Sequence, residues 1–457
     1  MHINPIDLLY NGLMRQMHLA GFLIAGPVAH SHALWRHPET AFDFLGPADY
    51  QTIAQILERG KFDLLFFADR LAMSDTYGHS LEMGVTYGDQ DAVRLDPVPV
   101  LALMAASTTR IGLGATRSTT YYHPYHLART FATLDHLTRG RAAWNVVTSV
   151  NQSEAQNFGY EEHLEHDRRY DRADEFMQVV YRLWESWEDG ALLLDRATGR
   201  FADAAKVRPI DHEGTWFRSR GPLNVPHAPQ GRPVIIQAGA SGRGKAFASR
   251  WADVIFTLQP SAAQAQTFYR DVHAQLDAIG RDHAACKILL AVMPFVAESE
   301  AVAKERQAFH NSLIHPLVGL STLSSHMNYD FSQHALDAPL ADLPIQGMQG
   351  LFSAIRTFSE SAGLTLREVG ELYGRSVLAP QIVGTASQVA DQLEQLFLSE
   401  ACDGFVISPA HLPGAFEAFV DQVVPELQRR GLFRHAYQGA TLREHLGLQL
   451  PSGGGSR

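Results

Sequence analysis

At 457 residues, with 46% hydrophobic and 19% charged side chains, the chain has the composition of a folded protein with a large core, which excludes disorder as its default state. The 38 basic residues stand against 49 acidic ones, and a formal charge of −11 argues against a phosphate-backbone footprint, so nucleic acid is not an expected partner. Cys286 and Cys402 fall in no CxxC or Cys/His ligand spacing, which fits a reducing compartment and gives no disulfide framework.

Residues 16–35 carry no Asp, Glu, Lys or Arg, but His18, Pro27, His30 and His32 interrupt them, and no membrane span is expected there. No basic segment leads into an apolar core and a small-residue cleavage site, so the expected location is the cytoplasm. Short apolar runs then recur along the chain. Those at 18–24, 63–68, 111–116, 142–147, 233–238, 253–258, 287–293 and 404–408 read as eight strands.

Helical spacing fills the intervals: Tyr50, Ile53, Ala54 and Leu57, then Leu127, Phe131 and Leu134, then Val389, Leu393, Leu396 and Phe397. One longer stripe runs through Ala173, Phe176, Met177, Val180, Leu183, Trp184 and Trp187. A last helix carries Phe416, Phe419, Val420, Val423, Val424 and Leu427, and Pro425 is expected to bend it. Strands and helices in alternation predict an α/β protein, and eight strands with intervening helices favour a closed (β/α)8 TIM barrel over an open doubly wound sheet.

Three stretches break the rhythm. Segments 70–99 and 188–232 are loop-like, whereas 297–383, with helical spacing at 301–313 and 350–362, is expected to be an inserted subdomain of an otherwise single barrel domain. Residues 451–457 read as a frayed tail.

In a parallel barrel the residues that close each strand are the ones placed to do chemistry. Asp69 follows LLFFA and is either a ligand contact or the ion-pair partner and cap of Arg70. The hydroxyls from Thr116 to Thr120 either hold ring heteroatoms or end a strand. The run AAWNVVTS (142–149) turns polar through Asn145, Thr148 and Ser149, and QAGASGRGKAFA (237–248) sets glycines and Ser241 where a strand turns into a helix. Backbone N–H groups and a hydroxyl there suit an anion. His166 and Tyr170, four apart at the start of the long amphipathic helix, are expected to approach the same anion from the preceding unit. The pairs His123/His126 and His163/His166 lack HExxH spacing and an identifiable third ligand, so no metal is expected. No GxSxG elbow or Walker loop occurs, and Gly239, Gly242 and Gly244 lack dinucleotide spacing.

The phrases FFADR (66–70), GLGATRSTTYYHPYHLARTFATLDHLTRGRAAWNVVTS (112–149), NFG (157–159), LEHDRRYDRADEF (164–176) and QAGASGRG (237–244) together resemble the bacterial luciferase-like FMN-dependent monooxygenases. The resemblance is narrower still to the branch that contains nitrilotriacetate monooxygenase component A and dibenzothiophene sulfone monooxygenase. It implies the oxygenase component of a two-component system, in which a separate NAD(P)H:flavin reductase supplies FMNH2 and O2 is the co-substrate. A C4a-(hydro)peroxyflavin would then oxygenate a small organic substrate.

Carried onto this sequence, the resemblance puts Asp69 and Thr116 against the isoalloxazine or ribityl part. It puts His166, Tyr170 and Ser241 at the ribityl chain and phosphate, with Asn145 and Gly242 as neighbours. It also implies a homodimer or homotetramer. A water-excluding lid is expected, and the insertion is the candidate. Within it SSHMNYDFS (324–332) offers His326 as a hydrogen-bonding or acid/base residue near the flavin oxygen adduct, because an imidazole titrates near working pH; a capping role is the open alternative. Met327 and Phe331 either line a substrate pocket or fill the insertion's core. Two rivals stand beside this reading: a deazaflavin-dependent oxidoreductase of the same fold, and a non-catalytic flavin-binding protein.

Overall fold

Every one of the eight apolar runs forms a strand: β1 (His18–Ile24), β2 (Leu64–Ala68), β3 (Gly112–Ser118), β4 (Ala142–Val147), β5 (Val234–Gln237), β6 (Val254–Thr257), β7 (Lys287–Val296) and β8 (Gly404–Ile407). The computed structural model describes residues 15–450, so the tail expected at 451–457 lies outside the described residues. The strands pair in parallel in chain order, and β8 returns to β1 with Leu19 opposite Phe405, which closes the barrel. A sheet covered on both faces needs apolar side chains on both, and this is why the strands read as continuous hydrophobic runs instead of alternating ones.

Helices wrap the barrel. α1 (Pro47–Arg59), α2 (Pro97–Ala106) and α3 (Pro124–Thr138) each begin with proline, whose fixed φ suits the first helical position and whose missing N–H is not needed there. α4 (His166–Trp184) follows β4, and α5 (Gly242–Trp251) and α6 (Ala262–Ala278) follow β5 and β6. α4 begins at His166 as its polar first turns suggested, but it stops at Trp184. Trp187 therefore lies outside the helical stripe, its indole N–H donating to Leu223 O at 2.7 Å.

The loop-like segments hold some regular structure. A helix occupies Glu82–Tyr87, and antiparallel hairpins pair Leu192–Asp195 with Arg200–Ala202 and His212–Glu213 with Arg218–Ser219. Between β7 and β8 come α7 (Glu300–Ser312), α8 (Val318–Met327), α9 (Gln349–Ala362) and α10 (Leu366–Ser376), before α11 (Ala386–Leu398) leads into β8. β7 outruns its expected end because Met293 to Val296 pair with the short strand Gln381–Gly384, which brings the chain back from these helices. Leu320, Leu323, Met327, Phe331, Phe352 and Tyr373 pack together as a core separate from that of the barrel. Near the C-terminus the helical run from Gly414 to Arg429 is broken by a π turn at Phe419–Val423, just ahead of Pro425. No helix among the described residues is long and apolar enough to cross a membrane.

Candidate active site

A cavity of about 220 Å³ opens where the C-terminal ends of β1 to β6 meet α8, α9 and the turn ahead of α9. Asp69, Thr116, Asn145, His166, Tyr170, Ser241 and His326, drawn from six separate stretches of sequence, all line it. Gly242 does not; it is the first residue of α5, so any contact it makes is through backbone.

One wall is a pair of helix starts. Ser241 caps α5, its Oγ accepting from Gly244 N–H at 2.9 Å, and lies 3.5 Å from His166 Nε2 on α4. The buried Tyr170 hydroxyl lies against Ser241 and Thr148. A Cβ on Gly244 would come within 2.9 Å of both Ser241 Oγ and Tyr170 Oη, so this turn closes only with glycine there. Beside them Arg169, 3% exposed, donates through Nη1 to Leu164 O at 2.9 Å, while its Nε has no partner among the described residues. Two sets of helix N–H groups, two hydroxyls, an imidazole and a guanidinium thus converge, an arrangement that suits an anion. They follow β4 and β5, whereas the phosphate sites of such barrels usually follow strands seven and eight.

The next wall is built from β2, β3 and β4. Thr116 Oγ1 donates to Phe67 O at 2.7 Å and accepts from Asn145 Nδ2 at 2.8 Å. The Thr116 hydroxyl is therefore already engaged, and Asn145 Oδ1 is a buried acceptor with no partner among the described residues. Farther along, the Thr119 and Thr120 hydroxyls donate to Val147 O and Thr148 O and stitch β3 to β4. Asp69 takes Arg117 as its ion-pair partner at 3.0 Å, which corrects the expected pairing with Arg70; only the Arg70 backbone N–H reaches its carboxylate, at 2.9 Å. Burial pushes the Asp69 carboxyl up to about 6 against the pull of Arg94 and Arg117.

The floor is aromatic. Phe22 stacks on His30 with centroids 3.7 Å apart, and Phe66 and Phe256 stand 5.4 and 6.0 Å from Phe22. His30 Nδ1 is bonded to Ser408 Oγ, and burial lowers this imidazole to about 3, so it stays uncharged.

The remaining wall belongs to the chain between β7 and β8. Arg70 pairs with Asp91 at 3.0 Å and also reaches Ser325 Oγ on α8, while Arg94 pairs with Asp91 at 3.0 Å. His326 lies behind this cluster, its Nδ1 bonded to the Tyr373 hydroxyl. Burial, joined by the charge of Arg70, holds its pKa well below the ordinary histidine value. His326 therefore does not titrate near working pH, and that part of the expectation is corrected. Met327 and Phe331, both fully buried, belong to the core of the insertion and do not line the cavity. α9 packs on the anion wall, where a Cβ on Gly350 would fall 2.4 Å from Ser241 N. Of the histidine pair at 163 and 166, His163 bonds to Tyr121 and His166 to Asp167.

Sequence reasoning missed His30, Arg169 and the aromatic floor. Arg169 had left a signal: it stands four residues before Ala173, so a cation sits on the apolar stripe of α4.

A closed parallel barrel with convergent polar groups at its C-terminal mouth defines a TIM-barrel enzyme. The chain belongs to the luciferase-like monooxygenase family, whose model matches residues 28–401. It is 54% identical over 442 residues to a dibenzothiophene-sulfone monooxygenase of Rhodococcus erythropolis (strain XP), covering 96% of this chain and 98% of that one. It is 43% identical to nitrilotriacetate monooxygenase component A of Aminobacter aminovorans, covering 96% of this chain and 98% of that one. Among solved structures, that of the long-chain alkane monooxygenase LadA superposes with a TM-score of 0.86 at 34% identity, covering 95% of this chain and 96% of that one.

Proposed function

We propose that the chain is the oxygenase component of a two-component monooxygenase, taking reduced FMN from a separate NAD(P)H:flavin reductase and inserting one atom of O2 into a small organic molecule. The observation that carries this reading is the convergence of His166, Arg169, Tyr170 and Ser241 on one anion-ready corner of the cavity. The residues present fit the flavin. Arg169 Nε and the helix N–H groups would take its phosphate, and Tyr170 and Ser241 its phosphate and ribityl chain. Asn145 Oδ1, a buried acceptor without a partner, would take a ring N–H.

When bound, the reduced flavin supplies the activation of O2. The protein's work is positional. α9 and the turn before it lie over the Ser241 corner as a lid that keeps water from the ring. His30 and His326, held uncharged by burial, serve as fixed hydrogen-bond partners that present no competing cation. Phe22, His30 and Phe256 stack with Phe66 edge-on to them, an aromatic floor that together with the likeness to a dibenzothiophene-sulfone monooxygenase favours an uncharged aromatic sulfur compound.

The test is turnover of dibenzothiophene sulfone and a panel of aromatic sulfones with enzymatically supplied FMNH2 under ¹⁸O2. One ¹⁸O per product is expected. Flavin binding without ¹⁸O incorporation into any substrate would point to the flavin-binding rival, and turnover that needs a deazaflavin and no O2 would point to the other.

A further inference from the structure

We propose that His37, Glu39 and His411 form a divalent transition-metal site, of the kind that takes Zn²⁺, on the seam between β8 and β1. Their ligand atoms all lie within 4.8 Å of one another, the one such His/Cys/Asp/Glu group among the described residues. His37 ends the short helical turn Leu34–Arg36 after β1, Glu39 follows two residues later, and His411 lies just beyond β8. The His37 and His411 rings face each other at 4.7 Å, and His411 Nε2 is 3.5 Å from a Glu39 carboxylate oxygen.

Two imidazole nitrogens and a carboxylate are a zinc ligand set that leaves a fourth position for water. His411 Nδ1 is buried without a partner, and Gly414, whose Cβ would meet this ring at 2.8 Å, leaves room for it. His37 Nδ1 has a long contact of 3.3 Å with the Glu39 N–H, weak enough to exchange for a cation. The Glu39 side chain is 66% exposed and free to swing in, which closes the ligand spacing at little cost.

The surroundings hold the two imidazoles in place. Ala41 N–H donates to Leu412 O at 2.8 Å, so the two segments are already joined by backbone. Phe309 meets the His37 ring edge-on at 5.6 Å. His310, packed behind, uses both nitrogens, with Ser31 at 2.8 Å and Asn311 at 3.1 Å, and so acts as a buttress and not a ligand. Arg306 is the cation facing His411, and Glu39 is the counter-charge. None of the three lines the cavity. A metal here clamps the loop that carries His30 to the strand end that carries its partner Ser408, as a structural ion with no part in the redox chemistry.

The untagged chain, stripped with a chelator, is titrated with Co²⁺ and then Zn²⁺. One Co²⁺ per chain with a visible d–d band is expected, displaced by Zn²⁺. At a hundred-fold excess of Zn²⁺ over Kd the melting temperature rises by roughly 3 °C. Glu39→Gln, an exposed change that leaves folding intact, and His411→Ala each weaken Zn²⁺ binding by more than about ten-fold. His283→Ala, at a surface His–Asp pair elsewhere, leaves it unchanged. Failure to saturate at one ion, affinity unmoved by both site variants, or equal loss in His283→Ala overturns the proposal.

Discussion

The two ends of the barrel treat buried polar groups in opposite ways. At the N-terminal end the two buried carboxylates are matched, although both ring nitrogens of His445 and Arg232 Nε find no partner among the described residues. Asp63, just before β2, is fully buried and accepts from Leu19 N–H at 2.8 Å, with His18 Nδ1 at 3.1 Å and Arg434 bonded beside it. Asp253, before β6, takes both arms of Arg443, at 3.2 and 2.8 Å, and Ile235 N–H at 2.9 Å. At the C-terminal end Asn145 Oδ1 and Arg169 Nε are buried with nothing to bond, and Asp69 is pushed towards protonation. Burying an unpaired polar atom costs stability, and a ligand in the cavity would satisfy those that line it. The paired carboxylates hold the closed end together, and the open end leaves polar groups facing a cavity.

The largest expected effect lies at the closed end. Arg443→Ala leaves the Asp253 carboxylate buried without its main partner, and on the order of 3–5 kcal/mol of stability is lost. Denaturant unfolding measures it. A loss below about 1 kcal/mol would mean that water or Arg232 replaces the pair and that the end is less sealed than its geometry shows.

A pH titration of stability sharpens the same contrast, because the two ends have opposite signs. Burial raises Asp63 and Asp253, but Arg434, His18 and Leu19 N–H for the first, and Arg443, Arg232 and Ile235 N–H for the second, together outweigh it, and both carboxyls end below their ordinary range. Their contribution is present above the unfolded pKa of about 4 and is lost as pH falls through the lower folded values. Asp69, at about 6 when folded, binds its proton more tightly in the native state. Stability from this group therefore falls as pH rises from about 4 to about 6 and is flat above. The difference corresponds to roughly 2–3 kcal/mol. Asp69→Asn should stabilise the ligand-free protein at pH 7 by up to that amount and erase the slope, and a steeper slope in the variant would refute the assignment.

At the anion corner the comparison predicts a trade between stability and binding. Arg169→Met removes an unpaired buried cation, so the ligand-free protein keeps or gains stability while FMN affinity falls by about 1.5–3 kcal/mol, the range for a hydrogen bond to a charged group. Tyr170→Phe with Ser241→Ala should weaken FMN by a similar amount per bond, the serine change also removing a helix cap worth about 1 kcal/mol. Calorimetry with FMN separates the two effects. Unchanged affinity in all three would move the phosphate elsewhere.

How much of this was legible depended on how local the cause was. The eight strands were readable because burial on both faces writes itself as an unbroken apolar run, and Asp69, Asn145 and Ser241 were readable because they close such runs. The last residues of β7 were not, since their partner strand lies some ninety positions later and nothing near Val296 announces it. Nor was the seal at the closed end, because Arg434 and Arg443 return from the C-terminal segment to meet Asp63 and Asp253. His30 could have been weighed beside Asp69, for it too lies shortly past a strand end. His326 was placed at the right cavity, and of its two expected roles burial favours the hydrogen-bonding one over the acid/base one. Burial dominates its charge, and Arg70 and Arg94, which add to that effect, are more than two hundred residues away in sequence.

That correction gives the smallest expected effect and the finest test of the contrast. Arg70, Arg94, Asp91 and His32 face His326, and Tyr373 holds its Nδ1; desolvation dominates and disfavours the charged imidazole. As a neutral hydrogen-bond partner it contributes about 0.5–1.5 kcal/mol, and His326→Asn should slow kcat by roughly three- to ten-fold. A titrating acid/base group would cost about 10²- to 10⁴-fold. The shape of the kcat/KM profile should be the same in both proteins. An inflection near neutral pH that disappears in His326→Asn would show that flavin or substrate binding charges this histidine, which would make the open end an electrostatic device as well as a set of waiting hydrogen-bond partners.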